Sequence, residues 1–470
     1  MEYNLRNSAF LVFSAFLLVG CISSDTGPPS WKPYASGPSG LVIEHATVLP
    51  MTGAAPLVDA CVVIRNGRIA AILPSGSAIP RDLQRLDASG KFLMPGLTDA
   101  HVHLMSNDVA KLYLGMLKLD LPFRADTQDV MLPFLVNGVT QVFSLQATQG
   151  GLEQKAEIAA GKVVGPTIVT AAMIDGDPPA WPVGMTRVAR TAEEGRAEVR
   201  KAAAQGYEMI KPYGQLTLET FTAIIDEARK LNLPVVGHIP GRGQDTAQYL
   251  MPGFGLVAHA EEFAQRSSTP DPAQIARYVE MAKASGTGLI ATLTLDDRLL
   301  EMVRDPKSLS TRPEFSTLHP TVRKIWQDHN PYVARGTPGF INFLERIVTF
   351  NRQLVKAFSD AGLPVLAGTD AAVPGVVPGF SLQDELVALV AASLSNEQAL
   401  IAATRAPCQF LKASCGTVAP GMRADLLLLD GDPLADIANA RKIHALLLGG
   451  RLIPRAELDS RMTALINAAQ

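Results

Sequence analysis

Two histidines stand one residue apart in Ala100-His101-Val102-His103, just after the apolar run Phe92-Leu93-Met94-Pro95-Gly96-Leu97. Side chains alternate along a strand, so such a pair at a strand end aims two ring nitrogens to one side, where one metal ion can take both. The chain has only eight histidines. Two more end apolar runs, His238 after Val235-Val236-Gly237 and His259 after Val257-Ala258. Another run, Leu366-Ala367-Gly368-Thr369, ends in Asp370, and Met209-Ile210 leads into Lys211. Imidazole and carboxylate suit borderline cations such as Zn²⁺, and four histidines with an aspartate exceed one tetrahedral site, so two divalent metals are implied. An ammonium has no lone pair with which to coordinate. Burial favours the neutral amine, and an amine that adds CO₂ becomes a carbamate, whose two oxygens and negative charge suit a bridge between cations. Lys211 is the residue placed to form it.

Such residues need a scaffold that gathers strand ends. Eight short apolar runs fall at 92–103, 138–145, 165–173, 207–211, 234–238, 255–259, 287–293 and 364–370. They alternate with amphipathic stretches such as 190–205 and 217–231. The alternation predicts an α/β chain of repeated βα units, closing as a (β/α)8 TIM-type barrel over residues 92–404. A doubly wound open sheet is the structural alternative. The site of a barrel lies at the C-terminal strand ends, which is where these residues fall. The gap between the seventh and eighth runs is about twice what one unit needs. Residues 300–345, with Trp326, His329 and Tyr332, are therefore expected to be an inserted lid. Strand-like runs at both ends, 41–91 with an Asn66-Gly67 turn and 405–455 with Gly449-Gly450, predict a small β-sandwich domain built from both termini.

Ahead of these lie Arg6, an apolar stretch from Ala9 to Val19, and Leu18-Val19-Gly20-Cys21. About eleven apolar residues are too few for the ~20-residue helix that spans a bilayer, so residues 1–20 read as a secretory signal peptide. Its end resembles the lipobox of bacterial lipoproteins, which makes Cys21 the expected lipidation site; an ordinary cleaved signal with an incidental cysteine is the alternative. Residues 21–40 are rich in Ser, Pro and Gly, as a flexible tether would be. Together these features predict an exported protein of a bacterium, periplasmic or anchored to the outer membrane by lipid alone. Cys61, Cys408 and Cys415 remain, and packing roles are expected, because Cys408 and Cys415 can pair only if the helix between them breaks. A net charge of −3 and the lack of a Lys/Arg-rich run argue against a nucleic-acid partner.

The segments MPGLTDAHVHL, EMIKPYG, LPVVGHIPGRG, LVAHAEE, VLAGTDA and GTVAPGMRADLLLLDGDPL closely resemble the amidohydrolase superfamily. Within it they are similar to the imidazolonepropionase-like and prolidase-like exported hydrolases, over residues 41–455. The resemblance implies His101, His103 and Asp370 at one metal and His238 and His259 at the other, with Lys211 as N6-carboxylysine between them. Imidazolonepropionase itself is expected to lack that lysine, so Lys211 argues against its activity here. Two adjacent cations acidify a bridging water to hydroxide, the expected nucleophile. Asp370 is the expected general base, shuttling the proton to a leaving amine. Tyr213 is placed to reach the attacked carbonyl oxygen, as in similar enzymes.

Taken singly, each residue has a plainer role: Asp370 as a helix cap, Lys211 as a snorkelling side chain, Tyr213 as packing at the rim. Their joint occurrence in this order points to a metal-dependent hydrolase of amide bonds. Dipeptides, C-terminal amino acids or N-acyl amino acids are the expected substrates. Arg242 is a candidate to pair with a substrate carboxylate, against the plainer reading of a solvated loop arginine. A lactonase or phosphotriesterase-like activity at the same site is the first alternative, and a non-catalytic surface-binding lipoprotein the second. Similar chains often carry a histidine after the last strand, where this one has Ser381-Leu382-Gln383-Asp384-Glu385. Small molecules or short peptides are the expected partners, with a homo-oligomer compatible.

Overall fold

The computed structural model describes residues 40–241, 245–266 and 270–469. The expected signal peptide, the lipidation site Cys21, the tether up to residue 39 and Arg242 lie outside the described residues. Among the described residues no helix is long and apolar enough to cross a membrane.

Strands from both ends of the chain share one eight-stranded sheet. The N-terminal ones are β1 (Leu41–Val48), β2 (Leu57–Arg65), β3 (Arg68–Pro74), β4 (Gln84–Asp87) and β5 (Phe92–Pro95). Asn66 and Gly67 both take positive φ, 50° and 74°, the backbone a type I′ hairpin turn requires. Next along the chain come the strands of the central body: β6 (Leu97–Val102), β7 (Val139–Ser144), β8 (Thr167–Asp175), β9 (Arg187–Val188), β10 (Met209–Pro212), β11 (Val236–Gly237), β12 (Leu256–Ala258), β13 (Gly288–Ile290) and β14 (Val365–Leu366). The chain then returns to the first sheet with β15 (Leu426–Leu429), β16 (Ile443–Leu448) and β17 (Arg451–Pro454). The order across that sheet is β17-β16-β15-β5-β1-β2-β3, with β4 on β1.

The apolar run at 92–103 is two strands in two sheets, divided at Gly96. β5 pairs with β1 and β15, whereas β6 pairs with β7. A side chain at 96 would meet Thr140 Oγ1 at 2.3 Å, so only glycine lets the chain change sheets there. β15 explains how the terminal sheet is held to the body. Its four leucines are fully buried, with Leu426 and Leu428 in one apolar cluster and Leu427 and Leu429 in the main core. Alternation thus buries both faces of one strand.

The body is parallel. β10, β8, β7 and β6 form one sheet with β9 on β8, and β11 to β14 form another. Backbone bonds also run between the two sheets on both sides: Ile210 N donates to Pro234 O (3.0 Å), and Ala100 N to Ala367 O (3.0 Å). One apolar cluster draws on Ala100, Phe143, Ala171, Met209, Val236, Leu256, Ile290 and Leu366, a residue from every strand of the two sheets except the short β9. The expected helices are present as Ala192–Ala204 and Leu218–Lys230, each capped by a threonine, Thr191 and Thr217. Residues 293–360 are largely helical and include the 23-residue helix Pro338–Asp360.

The cysteine expectation is overturned. Cys408 and Cys415 form a disulfide with Cα atoms 5.6 Å apart, and Cys61 is the free, buried one. The helix Arg405–Phe410 does break between them: Lys412 takes φ 54°, and Ala413 N folds back onto Cys408 O at 2.9 Å. A bridge over so short a loop stabilises mainly by restricting the unfolded chain. Replacing both cysteines with alanine is expected to cost about 2 kcal/mol, read as a lower denaturant midpoint, and a reductant should reproduce the loss in the parent but not in the double variant.

Candidate metal centre

Strand periodicity delivers the site residues. Met209 and Val236 belong to the inner apolar cluster, so Lys211 and His238, two residues on, leave the strand ends on that same face. Gly368 lies between Leu366 and Asp370, and a side chain there would strike Ile290 Cγ2 at 2.5 Å and His101 N at 3.0 Å. Glycine therefore lets the last strand press against the first. His259 and Asp370 take positive φ, 83° and 62°, which turns their side chains off the strand direction.

The structure brings His101, His259 and Asp370 together, with one ligand atom of each within 4.8 Å of the others. Among the described residues this is the group that could hold a metal ion. His103 joins through Asp370, whose Oδ1 lies 2.8 Å from His103 Nε2 and 3.1 Å from His101 Nε2. Those are hydrogen-bond distances without hydrogen-bond geometry, and Asp370 Oδ1 is a buried acceptor with no hydrogen bond, as His101 Nδ1 and His103 Nδ1 are buried without one. Lys211 is buried, and its Nζ lies 3.2 Å from His101 Nε2. The His259 ring is 4.5 Å from that of His101 and 5.0 Å from that of His238. The Tyr213 ring packs tilted against His238 with centroids 4.2 Å apart, and its hydroxyl accepts from Trp181 Nε1 at 3.2 Å. All the expected site residues within the described chain thus meet in one cluster.

Electrostatics set their protonation. Burial drives His101 well below the ordinary imidazole range, with Lys211 adding to the effect. Burial takes His259 down to about 3 even though Asp370 opposes it. Both rings are therefore neutral lone-pair donors at neutral pH, the form a cation takes. Burial also lowers Lys211 to about 8 against the opposing charges of Asp370 and Glu262. For Asp370, burial pushes upward, but the imidazoles of His101, His103 and His259 outweigh it and hold the carboxyl well below its usual range. Burial raises Tyr213 to about 12, leaving a neutral phenol able to donate.

Two supporting carboxylates carry no role in the motif reading. Glu262 Oε1 lies 2.8 Å from His238 Nδ1, while its Oε2 pairs with Arg266 at 2.8 Å and accepts from Ile239 N at 3.1 Å. It fixes one ring nitrogen and leaves the other for the site. The helical signal was available: Glu262 stands four residues before Arg266 and three after His259 at the strand end. Asp99 accepts from His101 N, Thr369 N and Thr369 Oγ1, tying the first strand end to the last. It extends the alternation of His103 and His101 by one more step of two, which is the pattern that would have found it. His259 Nδ1 is held by Thr292 Oγ1 at 3.1 Å.

A parallel α/β body with side chains able to ligate a metal gathered at its strand ends defines the class of protein, and the comparisons narrow it. Residues 92–453 match the amidohydrolase family, so the chain belongs to that family and is an enzyme. It is 30% identical over 92 residues to an L-hydantoinase of Paenarthrobacter aurescens, a stretch that covers 20% of this chain and 18% of that relative. The chain spans less than a fifth of the length of the curated relatives it matches. A bottromycin amidohydrolase superposes with TM-score 0.71 at 21% identity, covering 92% of this chain and 91% of that one. A Xaa-Pro dipeptidase with methionine bound in its active site superposes with TM-score 0.66 at 19% identity, covering 88% and 100%. At such identities the likeness is one of fold.

Glu262 gives a test of the supporting shell. Burial pushes its carboxyl up, but His238 and Arg266 outweigh that and hold it at about 2, below the usual 4.5. A depressed folded pKa contributes stability that is complete above pH 4.5 and fades as pH falls toward 2. Glu262→Gln leaves the buried Arg266 with backbone acceptors but no carboxylate partner, and should cost about 3 kcal/mol near neutral pH. The deficit, followed by chemical denaturation, should shrink on the acid side; one that stays constant would contradict the assignment.

Proposed function

We propose that this protein is a binuclear metal-dependent hydrolase of amide bonds, acting on dipeptides, C-terminal amino acids or N-acyl amino acids. The observation that carries the reading is Asp370 Oδ1, a buried, unbonded acceptor crowded by two imidazole nitrogens, beside a buried lysine. Convergent donors without hydrogen bonds are costly unless a cation fills the space between them. His101, His103 and Asp370 would hold one divalent metal, and His238 and His259 the other; zinc suits this donor set. Bound there, the metals supply an acidified water and a Lewis acid for the scissile carbonyl.

The protein's own groups do the rest. Lys211, with its amine partly neutral, adds CO₂ through a new N–C bond and loses one proton to solvent, giving N6-carboxylysine between the two positions. Asp370 takes the proton of the attacking water and returns it to the leaving amine. Tyr213, kept protonated by burial, donates toward the carbonyl oxygen as negative charge grows on it. In the same reading the two parallel sheets form one closed eight-stranded barrel, supported by the backbone bonds on both sides and by the shared inner cluster. The terminal strands form its companion β domain, and Cys21 carries the lipid of an exported protein.

Elemental analysis of purified protein should find about two divalent ions per chain, and Lys211→Ala should lose at least one of them. Asp370→Asn should lower kcat about a thousandfold on a panel of dipeptides and N-acyl amino acids while the fold persists. Full activity after complete metal removal would end this reading.

A further inference from the structure

Beside the candidate metal centre lies a cavity of about 340 Å³, within the ~300–1,000 Å³ range of small-molecule sites. Its wall includes His103 and also Ala372, two residues past Asp370, so it abuts the proposed reacting centre on the His103 side. The rest is assembled from three separate parts of the chain. Leu104 and Phe134 come from the segment after the first body strand, Leu318 and Val322 from the helical stretch before the last one, and Leu465 from the C-terminal helix Arg455–Ala468. Leu104, Phe134, Leu318 and Val322 are buried, whereas the charged residues of the lining, Arg124, Asp126 and Asp129, are exposed. This is an apolar interior with a polar rim.

His319 belongs to the same wall and packs tilted against Phe123 with ring centroids 4.6 Å apart. Its Nδ1 accepts from Thr321 N at 3.1 Å. Burial lowers its pKa, so near neutral pH the ring presents an uncharged surface. Two polar groupings at the centre do not line this cavity: Trp181 donates to Tyr213, and Glu262 pairs with His238 and Arg266. A substrate that reaches from the centre past His103 therefore meets apolar walls.

We propose that the cavity receives a bulky apolar acyl group, making the preferred substrates amides of medium-chain acids rather than of acetate. This deepens the amide-hydrolase reading and rests on it. Each methylene buried in the cavity strengthens binding about fourfold, until the space is filled.

The test is calorimetric binding of acetate, hexanoate and decanoate to the full, metal-loaded chain. Decanoate should bind at least about tenfold more tightly than acetate, with a negative heat-capacity change. Val322→Trp, which fills the cavity, should remove that advantage. Leu465→Trp, at a partly exposed helical position that spares the core, should do the same. Equal affinities in the parent, or an unchanged decanoate-to-acetate ratio in both variants, overturns the assignment. The same acyl series is then offered as N-acyl amino acids. Selective decanoate binding without cleavage of any amide upholds the cavity and overturns the amide reading instead.

Discussion

The strand ends of this molecule answer to one cost, that of burying ionisable groups side by side. His101, Lys211, His259 and Asp370 are all buried, in a space whose floor is apolar. Unpaired charge in such surroundings is expensive, so groups shed charge or find partners. Here the imidazoles are neutral, the amine is depressed, and the carboxylate alone keeps its charge firmly. What results is a set of lone pairs facing inward around one negative group. Stability by itself would favour hydrophobic residues in these positions. The arrangement makes physical sense as a receptacle for positive charge.

Some of the backbone strain falls in the same place. His259, Thr292 and Asp370 are non-glycine residues with φ of 83°, 48° and 62°. Each such position costs of order 1–3 kcal/mol and persists only where the surroundings over-determine it. The bonds that do so run between strand ends: His259 N to Ile290 O at 3.1 Å, and Asp370 N to His101 O at 2.8 Å. The Asp99–Thr369 clamp adds a side-chain tie across the same seam. These contacts join strands far apart in sequence, so the position of each donor depends on the whole sheet having formed.

Periodicity made much of this legible beforehand. Each of the eight apolar runs overlaps a body strand, because a parallel strand buried on both faces leaves a continuous apolar signature. The donors were readable because strand ends and unusual residue types coincided at His101, His238, His259 and Asp370. The run at 92–103 misled, since nothing in its hydropathy marks the change of sheet at Gly96; only the approach of Thr140 requires it. The Cys408–Cys415 bridge was hidden for a related reason. Its loop is closed by a left-handed backbone at Lys412, a residue type that gives no warning of that conformation. Glu262 escaped because its role lies in what it touches, a histidine 24 residues earlier in the chain.

The segment after the last strand shows how such a site can differ without losing its donors. Glu385 accepts from Leu293 N at 3.1 Å and from Thr294 N at 2.7 Å, at the start of the helix Leu293–Arg304. Burial raises its carboxyl to about 8, although those two amide donors oppose the shift. It anchors the first helix after β13, from which the chain continues to Leu318 and Val322, which line the same cavity as His103. Donor positions on this scaffold are constrained by distance to a common centre, whereas the elements above the strand ends are free to vary. The covering elements thus supply much of the wall beside His103, and Glu385 fixes where one of them begins.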